Sequence, residues 1–292
     1  MTPISKPIII LGTGRCGSTV FHHLLSSHPQ VMWLSNFCQR YPEKPTWNRR
    51  AVTAMGNPLL RRIFGDRILP GEVYRFWDRY TYGFSKPCRD LVREDVTPRM
   101  RKQVRAAVAQ MFTPTRQRLL VKIAGWSRIG FLNAIFEDAK FIHIVRDGRA
   151  VTGSLLHVDF WPGWRGPQSW GAGLLSPEDQ AVWENHDRSF LALAALQWKI
   201  RMRAIEAARQ ALDPERYCEV RYEAFCEQPL ETCRRVLEFA ELPPSAEFER
   251  RVKTTSIRNS NRWRDDLTVE QQAMLDDVLR DDLLRYGYSV GQ

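Results

Sequence analysis

The sequence predicts an α/β fold in which a central parallel sheet carries helices on both faces, giving three layers. Two observations predict this fold. Residues 8–25 read as a β-branched run, a glycine-rich turn and then apolar residues at helical spacing, which is a strand, a loop and a helix. Beyond them, strand-like and helix-like segments alternate along the chain, the arrangement typical of a parallel sheet.

The later elements follow from periodicity and turn residues. Residues 34–70 are rich in Trp, Arg and Pro and predict surface loop with short helices. A Trp-, Gly- and Pro-rich stretch at 159–173 predicts a long loop of the kind that lines a site. Between and after these loops the patterns predict strands at 118–125, 139–148 and 216–225, and helices at 99–112, 129–136, 149–157, 189–211, 229–240 and 268–286.

Length and composition indicate a soluble globular protein. The chain has 292 residues, 43% of them hydrophobic and 26% charged, so one domain over 1–292 can bury a substantial core. We find no apolar run of bilayer-spanning length and no secretory signal, and therefore expect a cytoplasmic protein without a transmembrane segment. Neither the six cysteines nor the six histidines have metal-ligand spacing, so no metal is expected.

The net charge of +10 narrows the class of ligand. Such a charge suits a polyanionic ligand, a nucleic acid or an acidic partner. The arginines are scattered, however, and no basic block with interleaved aromatic residues resembles an RNA-binding motif. A nucleotide with several phosphates is the favoured ligand, and no nucleic acid is expected as a partner. The oligomeric state is not readable from the sequence.

The first loop has the spacing of a phosphate-binding loop without its lysine. Gly12 and Gly17 fit G-x-x-x-x-G, but Ser18 and Thr19 follow where Lys-Ser/Thr is expected, and the cation inside the loop is Arg15. The glycines allow successive N–H groups to face one anion at the start of the helix. A P-loop-like fold that binds an anion is therefore favoured over a turn that only connects two elements.

Three cations follow predicted strands. Arg15, Lys122 and Arg146 each lie at or just past a strand's carboxyl end, where parallel sheets bind ligands. Ser154 comes eight residues after Arg146, two turns into the next predicted helix, so both side chains can reach one group. Lys122 follows Leu119, Leu120 and Val121, and a lysine in a buried strand is costly unless it meets an anion.

These motifs together resemble the PAPS-dependent sulfotransferase family, where PAPS is 3′-phosphoadenosine 5′-phosphosulfate. In that family a [KR]-x-G-[ST]-[ST] loop cradles the 5′-phosphosulfate, and an Arg…Ser pair holds the 3′-phosphate. The matching residues are Arg146 and Ser154 for the pair and, for the loop, Arg15, Cys16, Gly17, Ser18 and Thr19. The lysine of a P-loop contacts the β- and γ-phosphates of its nucleotide. PAPS has neither phosphate, so a lysine in this loop would have no such partner.

The resemblance extends over most of the chain. Tyr222-Glu223 matches the family's Y-E segment, and residues 256–268, with Ser260 and Arg262, look like its final cofactor-binding loop. The pattern is closer to the bacterial and protein-tyrosine branch than to the small cytosolic enzymes. It implies PAPS as the donor, 3′,5′-ADP as the product, and Arg15 with Lys122 beside the transferring sulfuryl group.

The general base and the adenine-stacking residue are left open. The cytosolic enzymes' histidine corresponds to Ala124, and the glutamate of the protein-tyrosine branch falls by spacing near Asn36. Asp159 and His157 are the first candidates for the base, followed by Glu184 and His186, because they lie on or beside the loop at 158–185.

The function expected from the sequence is transfer of a sulfuryl group from PAPS to a hydroxyl or amine by in-line displacement. The acceptor is a small molecule, a sugar or a lipid, defined by insertions near 34–90 and 158–185. A small-molecule P-loop kinase and a catalytically inactive nucleotide-binding protein are the alternatives, since the P-loop lysine and an evident base are both missing.

Overall fold

The computed structural model describes residues 4–258 and 261–291. In this part of the chain, five strands form one sheet in the order β2-β3-β1-β4-β5, and every neighbouring pair is parallel. The strands are β1 (Ile8–Gly12), β2 (Val31–Trp33), β3 (Arg118–Ala124), β4 (Lys140–Val145) and β5 (Tyr217–Arg221). The predicted central parallel sheet is confirmed.

Helices cover the sheet. Those described are α1 (Ser18–Leu25), α2 (Asn36–Arg40), α3 (Pro45–Ala54), α4 (Pro58–Phe64), α5 (Tyr74–Tyr80), α6 (Pro98–Ala109), α7 (Ile129–Ile135), α8 (Gly148–Leu156), α9 (Pro177–Asn185), α10 (Phe190–Arg209), α11 (Tyr222–Glu227), α12 (Pro229–Phe239), α13 (Ala246–Thr254), α14 (Trp263–Asp266) and α15 (Val269–Arg285). None of the helices in 4–258 and 261–291 is long and apolar enough to cross a membrane.

Burial of the strands explains the layered arrangement. All five residues of β1 are buried, as are the inner residues of β3 and β4, because parallel strands need cover on both faces. α1 packs against α13, whereas α7, α8 and α15 gather around α10. Right-handed crossovers place these two groups on opposite faces of the sheet. The predicted three-layer, P-loop-like α/β fold is confirmed.

One predicted strand is wrong in its second half. The pattern at 216–225 predicts a continuous strand, but β5 ends at Arg221 and α11 begins at Tyr222. Tyr222 and Phe225, three residues apart, are both buried, and Phe225 meets Phe21 of α1 edge-on at 5.1 Å. Helical spacing of these aromatic rings therefore outweighs the strand preference of the aromatic and β-branched run.

Candidate active site

The loop between β1 and α1 has an unusual backbone. Gly14, Arg15 and Gly17 all have left-handed φ angles, of 86°, 55° and 85°. Gly17 is also the N-cap of α1 and has no side chain with which to cap it, so the first N–H groups of the helix are open to an outside acceptor. Left-handed residues before a helix N-terminus form an anion-binding concavity. The loop therefore fits the 5′-phosphosulfate that the sequence predicts for it.

Tyr222 closes one side of this loop. A Cβ atom on Gly17 would lie only 2.0 Å from Cε2 of the Tyr222 ring, so glycine is required there for space as well as for φ. The Tyr222 hydroxyl donates to the Arg258 carbonyl oxygen at 3.0 Å. Burial raises the pKa of Tyr222 to about 12, so the hydroxyl stays protonated at neutral pH. Beneath the loop, Cys16 and Ser18 are both buried.

Arg15, Arg146 and Ser154 form a first polar group. Arg146, just after β4, donates from Nη1 to the Arg15 carbonyl oxygen at 3.0 Å, and Arg15 Nε donates to Ser154 Oγ on α8 at 2.9 Å. The Arg146 guanidinium also lies 4.9 Å from the centre of the Tyr222 ring. The residues predicted from two separate motifs thus lie together. The Arg15 side chain, which the sequence places beside the sulfuryl group, is directed here to the predicted 3′-phosphate residues.

Lys122, Thr19 and Glu72 form a second polar group. Lys122 of β3 is only 6% exposed, and its Nζ lies 2.8 Å from Glu72 Oε1 and 3.0 Å from Thr19 Oγ1. The buried ammonium is thus paired at the carboxyl end of the sheet and joins the loop helix to a carboxylate. It does not extend to the surface.

Glu72 is the functional candidate that the sequence did not reveal. Ser35, just after β2, bridges Pro70, and Gly71 N donates to the Leu34 carbonyl oxygen, so the chain returns to β2 after the excursion through α2, α3 and α4. Spacing alone assigned this place to Asn36, which instead donates to the Arg67 carbonyl oxygen at 2.5 Å. Only the return of the chain brings a carboxylate to Lys122.

Tyr74 supports Glu72 from the other side. Its hydroxyl donates to Glu72 Oε2 and lies 3.2 Å from the Ala124 carbonyl oxygen at the end of β3. Burial, and secondarily the Glu72 charge, raise the pKa of Tyr74, so the phenol is a permanent donor near neutral pH. Both carboxylate oxygens of Glu72 are therefore fixed by donors.

Arg201 adds a cation that sequence patterns did not single out. It comes from α10, and its Nη1 donates to the Thr13 carbonyl oxygen at 2.8 Å. A Cβ on Gly125 would lie 3.7 Å from its Cζ, so the guanidinium lies between the loops that follow β1 and β3. Burial lowers the pKa of Arg201 to about 10, which leaves it charged at neutral pH. Its position in the middle of a long helix gave no signal in the sequence.

The bases first considered from the sequence lie elsewhere. His157 Nδ1 is 2.8 Å from the Gly153 carbonyl oxygen at the end of α8, and Asp159 is exposed. Glu184 accepts from Gln180 and Arg188, and His186 lies 3.3 Å from Asp277. In the described ranges none of these four forms a hydrogen bond or ion pair with Lys122, Thr19 or Glu72.

The C-terminal candidates are only partly described. Ser260 lies outside the described residues, and Arg262 is exposed just before α14. The next residue, Trp263, packs on α8 so closely that a Cβ on Gly153 would lie only 3.1 Å from the Trp263 Cβ. The segment therefore runs alongside Ser154, where the sequence predicts the 3′-phosphate.

Comparison with known proteins gives the family. A model described as "Sulfotransferase family" matches residues 7–246. The chain belongs to the sulfotransferase family. It is a PAPS-dependent sulfotransferase, an enzyme that transfers a sulfuryl group from PAPS, as the sequence predicted.

Four mycobacterial proteins are similar to this sulfotransferase. Omega-hydroxy-beta-dihydromenaquinone-9 sulfotransferase Stf3 of Mycobacterium bovis and its Mycobacterium tuberculosis counterpart are each 26% identical over 97% of this chain and 75% of the relative. Among solved structures, sulfotransferase STF9 from Mycobacterium avium has a TM-score of 0.60 at 20% identity, over 99% of this chain and 79% of its own. STF1 from Mycobacterium tuberculosis has a TM-score of 0.56 at 17% identity, over 96% and 77%. These structures support the fold.

Proposed function

We propose that this sulfotransferase transfers the sulfuryl group to a hydroxyl of a lipid-like small molecule, with Glu72 as the general base. The contact between Lys122 and Glu72, at the end of β3 and against Thr19, carries the proposal. It places a carboxylate, an ammonium and a hydroxyl beside the anion-binding loop, which are the groups that hydroxyl activation and sulfuryl transfer need.

The donor-binding roles divide between the two polar groups. The loop from Arg15 to Thr19 would hold the 5′-phosphosulfate, and Arg146 with Ser154 would hold the 3′-phosphate. Tyr222 supports both by packing on Gly17 and under Arg146. Arg262 and Ser260 stay predictions for the 3′-phosphate. Since the Arg15 side chain contacts Ser154, we assign it first to donor binding and leave Lys122 as the main cation for the sulfuryl group.

The chemistry then follows from the fixed carboxylate. Glu72 accepts the proton of the acceptor hydroxyl, whose oxygen forms the new bond to sulfur. The old bond from sulfur to the bridging oxygen breaks, and its electron pair leaves on 3′,5′-ADP. Protonation of Glu72 weakens its ion pair with Lys122, which frees the ammonium to meet charge growing on the sulfuryl and bridging oxygens. Thr19 and the loop N–H groups would stabilise the same charge.

A lipid-like acceptor is supported by one relative and by the loops. The relative Stf3 is named for sulfuryl transfer to an omega-hydroxylated dihydromenaquinone, a lipid-like menaquinone derivative. In this chain the insertion near 158–185 is tied to the end of β3 because Trp126 Nε1 donates to the Gly171 carbonyl oxygen at 2.9 Å. Trp161, Trp164 and Phe190 pack together in the same region. We propose that this insertion and the one near 34–90 surround an apolar acceptor.

Several expectations stay predictions. These are the single domain over 1–292, the cytoplasmic location and the exclusion of nucleic acid as a partner. Asp159 and His157 stay weaker alternatives to Glu72 as the base. Sulfuryl transfer is favoured over the two alternatives, a small-molecule kinase and an inactive nucleotide-binding protein. The family is established, and a carboxylate lies beside Lys122.

The test measures 3′,5′-ADP release from PAPS with an isoprenoid alcohol, a hydroquinone, a simple phenol and a sugar as acceptors. We expect turnover with the apolar alcohols. Glu72→Gln should lower it by about two to four orders of magnitude while leaving 3′,5′-ADP affinity nearly unchanged. Glu238→Gln, which changes an exposed carboxylate on α12, is the matched control. Full activity of Glu72→Gln would refute the base, and turnover only with the sugar would refute the acceptor class.

A further inference from the structure

α4 turns three of its four Leu, Ile and Phe side chains outward, and only the fourth, Leu60, is partly buried against the core. None of its seven residues is buried, and three apolar side chains are exposed: Leu59 at 65%, Ile63 at 56% and Phe64 at 38%. Leu69, just beyond the helix, is 42% exposed. We call these four side chains the α4 patch. A short helix in a globular protein normally turns its apolar residues to the core, so their outward position indicates contact with something outside the chain.

The segment that carries the α4 patch is strongly cationic. Residues 44–69 contain six cations against the single carboxylate of Asp66, a formal net charge of +5. Arg61 is paired with Glu247 at 3.1 Å, but Arg50, Arg62 and Arg67 are exposed. Exposed Leu, Ile and Phe side chains beside arginines are typical of elements that lie in the interface of an anionic bilayer. A cationic rim of this kind opposes contact with a second copy of the same surface.

The Leu69 end of the α4 patch is close to the carboxylate proposed as the base. Leu69 precedes Glu72 by three residues, and three peptide units span at most about 11 Å between Cα atoms. The position of Leu69 is fixed, because its carbonyl oxygen accepts from Asn36 N at 3.0 Å, just after β2. A surface held at the patch therefore lies beside the acceptor side of the site.

We propose that the α4 patch docks this protein reversibly on the surface of an anionic lipid bilayer. Leu59, Ile63 and Phe64 enter the boundary between headgroups and acyl chains, and Arg62 and Arg67 meet lipid phosphates. With only one short helix, binding depends on both contributions and falls as salt rises. Docking goes beyond the proposed function and does not require a lipid acceptor, although it would bring Glu72 to one.

The experiment is vesicle co-sedimentation of the full chain. Vesicles of phosphatidylcholine alone are compared with vesicles that also contain phosphatidylglycerol, at low and high salt. We expect binding to the mixed vesicles and little to the neutral ones. The double substitution Leu59→Ser with Ile63→Ser should weaken binding at least about tenfold, because two apolar side chains lose their burial. Arg62→Gln with Arg67→Gln should weaken it and flatten its salt dependence.

A matched control lies on α15. Val269 and Leu284 are exposed apolar residues outside the patch, and Val269→Ser with Leu284→Ser should leave vesicle binding unchanged. Calorimetry with 3′,5′-ADP checks that every variant is folded, since none of these residues belongs to the donor site. The proposal would be overturned if the α15 double variant lost as much vesicle binding as the Leu59→Ser, Ile63→Ser variant, or if the wild-type chain bound neutral and anionic vesicles equally. It would also be overturned if the chain formed a dimer in solution that the α4 substitutions dissociate. Vesicle binding without turnover of apolar alcohols would refute only the acceptor proposal.

Discussion

The Lys122 ammonium lies 2.8 Å from the Glu72 carboxylate, at the point where β3 passes beneath Thr19 of the loop helix. Each charge is the partner that makes burial of the other tolerable. In the proposed reaction the pair separates when Glu72 takes a proton. The same contact that stabilises the resting site would therefore supply a cation when the sulfuryl group needs one.

Lys122→Met should lower turnover by about two to three orders of magnitude, as for loss of one preorganised donor. Affinity for 3′,5′-ADP, which lacks the sulfuryl group, should fall much less. Steady-state kinetics and calorimetry measure the two quantities. Lys140→Met is the control, because Lys140 is also largely covered but lies at the opposite end of the sheet, against Glu241. If Lys122→Met keeps near wild-type turnover, the lysine is only structural.

Gly17→Ala should impair donor binding through two separate effects. Its φ of 85° is strained for alanine, and the new Cβ would overlap the Tyr222 ring. We expect at least about tenfold weaker binding of 3′,5′-ADP by calorimetry, because relief of the overlap and of about 1–2 kcal/mol of left-handed strain would move the loop N–H groups away from the phosphate. Gly166→Ala separates the two effects, because φ is 80° there and nothing lies within 4 Å of the new Cβ. That control should lose some stability and keep its affinity; an unaffected Gly17→Ala would contradict the loop assignment.

Arg146→Ala should weaken 3′,5′-ADP binding by about 2 kcal/mol, roughly thirtyfold in Kd, as for a lost charge-assisted hydrogen bond. Adenosine 5′-phosphosulfate, which lacks the 3′-phosphate, is the internal control and should bind nearly as before. Arg15→Ala should also weaken 3′,5′-ADP binding, because its side chain contacts Ser154. Equal losses of both ligands in Arg146→Ala would show that Arg146 does not contact the 3′-phosphate.

Local sequence patterns were enough to predict the fold and to single out the residues that we propose bind the donor. The glycine loop and Arg146 each follow a strand directly, and Ser154 lies two turns into the helix that comes next, so their positions depend on short-range geometry that spacing captures. In the structure Arg15 lies within hydrogen-bond distance of both Arg146 and Ser154.

The acceptor side could not be predicted in the same way. Glu72 reaches Lys122 only after three helices and a return to the edge of β2, and no local pattern encodes that return. β2 itself has three residues, too few for a period of two to be visible. Arg201 reaches Thr13 from a helix almost two hundred residues later in the chain. Such long-range pairs follow from packing of the whole chain.

Acid should destabilise the fold through His143, which is fully buried in β4. Burial, and then Arg209, lower its pKa to about 3 from an ordinary 6.5. Glu219 Oε2 lies 3.9 Å away, but burial raises the pKa of that carboxyl as well, which limits the negative charge it offers. Below pH 6.5 this histidine is protonated in the unfolded chain but stays neutral in the folded chain. The contribution of neutral His143 to the free energy of unfolding is therefore fully present above pH 6.5 and is lost as the pH drops towards 3.

His143→Gln should make the free energy of unfolding less dependent on pH. Between pH 7 and pH 5 this histidine should lower the free energy of unfolding of the wild-type chain by about 2 kcal/mol, because the decrease approaches about 1.4 kcal/mol per pH unit. Denaturant unfolding at both pH values gives the loss for each protein, and only the difference between the two losses is compared. The lost contact of Nδ1 with the Tyr217 hydroxyl lowers stability at both pH values and cancels in that comparison. Equal losses in the two proteins would mean that His143 takes up its proton in the folded chain as readily as in the unfolded one.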